Sequence, residues 1–475
     1  MSTVTSQSEY ARFIEWQQHR RKRVTDSQRE SAIVHLSDVI KNNMDAPASI
    51  SSVRIEGADR TRHSFLASLI NPRLPHGTVS FEDVLHTTRR ISDALHRADL
   101  FSRLSARIER ARNPAAGPHD VDIVFAAKER GRFVWRSSTE IGNNEGSATS
   151  RATVRNLFGG GELFNAQFAL GTKTRFSFGA TLTAPLGSNL DASAEVGLFR
   201  TRNDWTSFAS CTEDQRGFRA AYNKGDPKTS TGTHEFAFQV ITRHICDLTP
   251  SASISIRRCA GQSLKTSISH TYVHDSRDDR LAATRGYYAK ITQELAGIGG
   301  RDARFYKVSA EGQISRPMWR GLSAALSARG GVLFGLGDAP TYLSDRFQLG
   351  GPLSVRGFKS NGLGPRDGAD SLGGDVHWST GLSIVSALPR REHWPVKLHA
   401  WTNVGRLDTL QNKQPPSPQN SISHLLSRPS IAAGVGILYN FDPIRFEVNF
   451  GVPLTASASD GMNKGLQVGV GLEFL

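Results

Sequence analysis

From about Arg132 to the last residue, apolar and polar side chains alternate, and the alternation predicts one β-strand after another. In IRFEVNFGV, Ile444, Phe446, Val448, Phe450 and Val452 share one face, and Arg445, Glu447, Asn449 and Gly451 share the other. The closing GLQVGVGLEFL sets Leu466, Val468, Val470, Leu472 and Phe474 against Gln467, Gly469, Gly471 and Glu473. VKLHAWTNV sets Val396, Leu398, Ala400 and Val404 against Lys397, His399 and Asn403, and DVHWSTGLSI sets Val376, Trp378, Leu382 and Ile384 against Asp375, His377 and Ser383.

Upstream the period changes. Val53 and Ile55 alternate before Gly57, a first helix runs through Phe65, Leu66, Leu69 and Ile70 to Pro72, and a second carries Phe81, Val84, Leu85, Ile91, Leu95 and Leu100 at helical spacing. Ser80, with Asp83 three residues on, is placed to cap that second helix. Two alternating runs follow, Leu104–Ala106–Ile108 and Val121–Ile123–Phe125. Strand, helix, helix, strand, strand predicts a small α+β domain over 50–131, preceded by a basic extension over 1–49 that holds the dense run Arg20, Arg21, Lys22, Arg23.

Composition narrows the class. Hydrophobic residues make up 38 % of the chain, glycine 44 of 475 residues, and no window approaches the roughly 18 uncharged apolar residues of a membrane helix. A membrane β-barrel survives that exclusion, because only every second residue meets lipid. A soluble sandwich shows the same alternation but seldom extends through the 344 residues of 132–475. Many segments also reach the roughly 9–11 residues that cross a bilayer. Since lipid leaves no backbone group unpaired, the sheet must close. The strands number sixteen or seventeen, depending on whether Ser251–Asp275 is cut once; an even count returns both ends to one side, and sixteen is the expectation. The fold predicted is a 16-stranded antiparallel transmembrane β-barrel with one small N-terminal α+β domain.

The net charge of +14 is spread along the chain rather than gathered into a nucleic-acid stripe, so no nucleic-acid partner is expected. Cys211, Cys246 and Cys259, odd in number and without C-x-x-C spacing, disfavour a disulfide framework or a zinc site. The N-terminus lacks the apolar core of a secretory signal, and Glu9, Glu15, Asp26 and Glu30 argue against a cleaved mitochondrial presequence. Without a Gly-Lys dipeptide there is no P-loop, and neither G-x-S-x-G nor H-E-x-x-H occurs. No catalytic residue, metal or cofactor is expected.

One stretch breaks the alternation. Gln348–Asp375, rich in glycine, is far longer than an ordinary connection, and structureless loops beyond about 12–15 residues are functional or disordered. From two residues before it to its end, R-F-Q-L-G-G-P (Arg346–Pro352), V-R-G-F (Val355, Arg356, Gly357, Phe358) and G-P-R-D-G-A-D-S-L-G-G-D (Gly364–Asp375) follow one another. In that order they resemble the signature loop, about 341–374, of the outer-membrane barrel insertases, and among them the mitochondrial sorting and assembly machinery barrel subunit. N-L-F-G-G-G-E (Asn156–Glu162) is similar to that family's early hairpin, and the small domain resembles a polypeptide-transport-associated (POTRA) domain.

The resemblance implies an insertase without catalytic or cofactor chemistry, placed in the mitochondrial outer membrane with its POTRA domain toward the intermembrane space. Its implied partners are β-barrel precursors, other subunits of a sorting and assembly complex, and membrane lipid. It also implies that the long loop tucks into the lumen. There the planar fork of Arg356 seeks a carboxylate: Asp375, Glu447 and Glu473 on the lumen face, or Asp367 and Asp370 in the loop. Asp375 ranks first, since its strand emerges from the loop; the alternative is an exposed arginine on a loose loop. Phe358 reads as a packing plug or an ordinary turn aromatic.

The second expected site is the lateral seam between the first strand (Phe133, Trp135, Arg136, Ser138, Glu140) and the last (Gln467, Gly469, Gly471, Leu472, Phe474). Its glycines either weaken the closing pair, exposing an edge that templates an incoming strand, or relieve crowding in a narrow lumen. By resemblance, Gln467-x-Gly469-x-x-Leu472-x-Phe474 is the sorting signal of mitochondrial barrels. A passive outer-membrane channel and a bacterial-type secretion pore for a single partner are the competing functions.

Overall fold

The computed structural model describes residues 38–471, apart from 40, 143–144, 188, 227–228, 230, 281, 300–301, 320, 338–340, 389–393, 411–427 and 442–443. The chain divides after Arg130 into two compact units.

The first unit holds β1 (Pro47–Glu56), α1 (His63–Ile70), β2 (Val79–Ser80), α2 (Phe81–Arg97), β3 (Phe101–Arg110) and β4 (Asp120–Glu129). The sheet order is β2-β1-β4-β3, with β1 and β4 parallel and the outer pairs antiparallel. The helices lie between β1 and β4 in sequence, as a parallel pair requires a crossover. Leu66, Leu69 and Ile70 of α1, Val84, Ile91 and Leu95 of α2, and Ile123, Val124 and Phe125 of β4 are buried together as the core. The Ser80 side chain accepts from the Asp83 amide at 3.2 Å and satisfies one of the orphan donors at the start of α2.

The second unit is one antiparallel sheet of sixteen strands. They are β5 (Phe133–Gly142), β6 (Glu145–Arg155), β7 (Leu163–Gly171), β8 (Thr174–Leu186), β9 (Asn189–Asp204), β10 (Thr212–Gly225), β11 (Thr233–Cys246), β12 (Gly261–Asp275), β13 (Gly286–Ala296), β14 (Phe305–Trp319), β15 (Leu322–Gly335), β18 (Val376–Ala387), β19 (Val396–Asp408), β20 (Ser430–Phe441), β21 (Ile444–Thr455) and β22 (Gly465–Gly471). The two-residue strands β16 (Arg366–Asp367) and β17 (Asp370–Ser371) pair with each other inside the connection from β15 to β18. The ambiguous Ser251–Asp275 stretch resolves into a short helix, α3 (Ile254–Cys259), and a single strand, β12.

Alternation carries through to the faces. On β21, Phe450 is 57 % exposed, while Glu447 and Asn449 are fully buried; on β22, Leu466 is 66 % exposed and Gln467 buried. Large apolar side chains facing outward on strand after strand make the band that a soluble protein avoids and a lipid-embedded barrel needs. Each strand pairs with its sequence neighbour in the sheet, and the edges β5 and β22 lie close together. Among the described residues no ladder joins those two edges, and the β21–β22 ladder itself runs only from Gly451↔Gly465 to Arg445↔Gly471.

Candidate functional site: a loop latched inside the barrel

Residues 341–375, between β15 and β18, pack against the inward-facing side of the barrel wall. Val355, Arg356 and Phe358 are fully buried, and Leu349 and Leu363 nearly so. They pack with Phe305, Leu333, Trp401, Leu407 and Ala432, which belong to the barrel wall. The loop thus brings its own apolar residues into a space that alternation makes polar. Gly357 is required where it stands: its φ is +84°, and a Cβ there would lie 2.8 Å from the Cβ of Ala432.

Arg356 is held on three sides. Its Nε and Nη2 donate to Glu447 Oε2 at 3.1 and 2.9 Å, and Nη1 donates to Asn403 Oδ1 at 3.0 Å. The guanidinium carbon lies 5.4 Å from the centre of the Trp401 ring, a cation–π contact. Glu447 is a hub: Arg445 pairs with its Oε1, and Asn449 Nδ2 donates to its Oε2 at 2.8 Å. Asn449 Oδ1 in turn lies 2.6 Å from His399 Nε2. A buried charge requires this degree of pairing.

The partner expected first, Asp375, is not the one used. Its Oδ2 accepts from the Leu410 amide at 3.3 Å, and its Oδ1 lies 3.7 Å from Arg346. The reason is depth. The Asp375 amide bonds to Asp408, the last residue of β19, at the barrel mouth, whereas Arg356 meets the same strand at Asn403. Five strand residues separate those levels, about 16 Å at about 3.3 Å per residue. Asp370 and Asp367 are engaged elsewhere as well. They accept from the amides of Ser253 at 2.8 Å and Ser255 at 3.1 Å, tying the loop's small hairpin to the start of α3. Glu473 lies outside the described residues.

The loop and the last strand form a single site. Gln467 of β22 accepts from the Gly357 amide at 2.8 Å and donates to the Phe358 carbonyl at 3.1 Å. The connection between β21 and β22 runs beside the same segment. Asn463 N donates to Gly357 O at 2.9 Å, Lys359 N to Gly461 O at 2.8 Å, and Gly461 N to Gly362 O at 2.8 Å. Gly469 stands opposite Glu447 in the β21–β22 ladder, so the hub, the loop and the closing strand meet at one level.

Across the gap, Phe133 and Trp135 of β5 point outward, 61 % and 62 % exposed, and Ser138 bonds to Thr149 of β6 at 2.9 Å. Arg136 faces Arg151 in the β5–β6 ladder. Leu472 and Phe474, and the side chain of Glu140, lie outside the described residues. Asn403 and Trp401 escaped the sequence reading as latch residues. Alternation placed Asn403 on the lumen face, but nothing in the chain announces that an arginine elsewhere needs it.

Residues 156–474 match the model of the Omp85 superfamily domain. A SAM50-like protein of Schizosaccharomyces pombe is 32 % identical, with 94 % of this chain and 95 % of that one covered. The human sorting and assembly machinery component 50 homolog is 31 % identical over 90 % of each. BamA from Haemophilus ducreyi lacking POTRA domains 1-3 superimposes with a TM-score of 0.72 at 16 % identity, covering 89 % of this chain and 84 % of that one, a likeness of fold. On the family match and the identity to these relatives, the chain belongs to the Omp85 superfamily and, within it, to the sorting and assembly machinery component 50 homologues.

Proposed function

We propose that this chain folds β-barrel precursors and inserts them into the mitochondrial outer membrane through the seam between β5 and β22. The observation that carries the reading is the grip of the latched loop on the closing strand. Gly357 and Phe358 hold Gln467 at an edge whose ladder to β5 is absent among the described residues. An edge strand without its partner presents N–H and C=O groups that an incoming strand pairs with, and each docked strand supplies its own hydrogen bonds without a nucleotide. In this reading the first unit, over about 50–131, is a POTRA domain in the intermembrane space. The other subunits of a sorting and assembly complex are partners, and the residues before β1 form a basic extension.

Depleting the protein from its own cells tests the function. Steady-state levels of other mitochondrial outer-membrane barrels should fall severalfold while import of a matrix protein continues unchanged. A passive channel gives the opposite pattern, with barrel levels maintained. The small domain is expected to aid throughput rather than build the barrel, because the two units are compact separately. Deleting Pro47–Glu129 should leave a barrel that still inserts, with client assembly slowed; loss of the barrel itself would make the domain structural.

A further inference from the structure

The loop has a second charged anchor, of opposite polarity. In the latch the loop supplies the cation; at Asp345 it supplies the anion. Arg243 of β11 donates to both carboxylate oxygens, Nη1 to Oδ2 and Nη2 to Oδ1, each at 2.8 Å. Arg243 is 4 % exposed and Asp345 2 %. Lys265 of β12 lies 3.7 Å from Asp345 Oδ1 and also pairs with Glu294 of β13. Lys307 of β14 donates to the Asp345 carbonyl at 2.7 Å while lying 4.4 Å from the centre of the Phe347 ring. The neighbouring Ser344 bonds to Glu213 of β10.

The position of these strands in the sheet matters more than their chemistry. Counted from β5, strands β10 to β14 are the sixth to tenth of sixteen, the part of the wall farthest from both edges. The partners of Arg356 and its neighbours sit on β19, β21 and β22, the thirteenth, fifteenth and sixteenth. The loop therefore spans the lumen from the back wall to the seam. If β22 parts from β5, the contacts of Arg356, Gly357 and Phe358 must shift with the moving edge; those of Asp345 need not. A bidentate guanidinium–carboxylate pair, buried and supported by two lysines, is the stronger and more directional kind of ion pair.

We infer that Asp345, held by Arg243 and Lys265, is a fixed pivot for the loop. It is a positioning residue that keeps the loop in the lumen while the Arg356 end releases, and returns that end to Glu447 and Gln467 after each client. The inference rests on the insertion reading. It gives the two ends of one loop different duties. Loss of the pivot should impair re-docking after turnover, more than docking at rest.

The test uses the full chain in outer-membrane vesicles, with the three native cysteines changed to serine and Ser354→Cys as a reporter in the loop. Alkylation by a membrane-impermeant maleimide is followed before and after a round of assembly of a radiolabelled barrel precursor. Asp345→Asn should keep the heat-modifiable mobility of a folded barrel and, because Glu447 and Asn403 still hold the Arg356 end beside the reporter, resting protection at position 354 within about twofold of the parent. It should slow client assembly at least fivefold and leave position 354 open to alkylation after turnover. Exchanging the pair, Arg243→Asp with Asp345→Arg, should restore assembly and re-protection to within about twofold of the parent. A merely structural role predicts loss of mobility and of resting protection instead. Should Asp345→Asn fail to fold, the exchange variant decides by the same two readouts. The pivot is overturned if Asp345→Asn assembles clients and regains protection like the parent, or if the exchange fails to restore both. A covalent tie at the seam separates the two ideas. If it arrests assembly while Asp345→Asn does not, only the pivot falls; if the tie has no effect, entry of clients between β5 and β22 falls, and the pivot with it.

Discussion

Arg356→Ala should open the lumen loop to alkylation at position 354 by two orders of magnitude or more, while the barrel still migrates as a folded species. Both partners of this pair are desolvated, with side-chain exposure of 1 % for Arg356 and 0 % for Glu447. Removing the guanidinium takes two charged donors from Glu447 Oε2, which keeps the neutral amide of Asn449, and deprives Asn403 Oδ1 of its charged donor. Breaking one half of a buried pair costs on the order of 3–5 kcal/mol, and about 1.4 kcal/mol is tenfold in a docking equilibrium. The wall strands keep their ladders, so the loss is confined to the loop. Arg356→Lys should fail nearly as badly. One ammonium cannot reach Glu447 and Asn403 together while covering the Trp401 ring as the planar fork does. Glu447→Gln separates charge from shape. It keeps the volume but leaves Arg356 and Arg445 facing each other across a neutral amide, and should open the loop as strongly as Arg356→Ala. Equal alkylation of the parent and all three variants would sink the latch.

The latch also shows where reading a sequence stops. The period-two alternation of IRFEVNFGV assigns Glu447 to the lumen and Phe450 to lipid without reference to any other strand, and the structure places both so. It cannot supply depth, which depends on how far each strand is staggered against the next. Asp375 and Glu447 share a face, and proximity in sequence favoured the wrong one: the end of the loop lies at the mouth, and its middle lies well below. The bond from Gln467 to Gly357 was illegible for a different reason. Its partner is a backbone amide, which nearly every residue carries, so no residue type marks it. The cluster around Asp345 was invisible because Arg243, Lys265 and Lys307 are far apart in the chain and look like ordinary lumen charges until the register stacks them. In contrast, α2 announced both its capped start and its buried stripe, since a helix needs only its own neighbours to declare a face.

A covalent tie between β5 and β22 should stop client assembly while leaving the barrel intact. Facing residues of an antiparallel pair have Cα atoms about 4.5–5.5 Å apart, inside the range of a disulfide. Arg136 and Ser138 on β5, scanned against Gly469 and Gly471 on β22, cover the register that alternation leaves open, all on the expected lumen-facing parity. Gln467 is left unchanged, so that the loop keeps its hold on the closing strand. With the native cysteines replaced, some pair should crosslink under mild oxidation, since the two edges already lie close together. Assembly of a radiolabelled precursor should then fall at least tenfold and recover on reduction, because a client strand needs the unpaired edge that the tie removes. The crosslinked barrel should keep its folded mobility, since every other ladder in the sheet is untouched. Reversal by reductant separates a blocked seam from a damaged barrel, which reduction does not repair. A pair that crosslinks to completion and still assembles clients at the parental rate would place the entry of precursors somewhere other than this seam, and the grip of the loop on Gln467 would then serve the stability of the last strand alone.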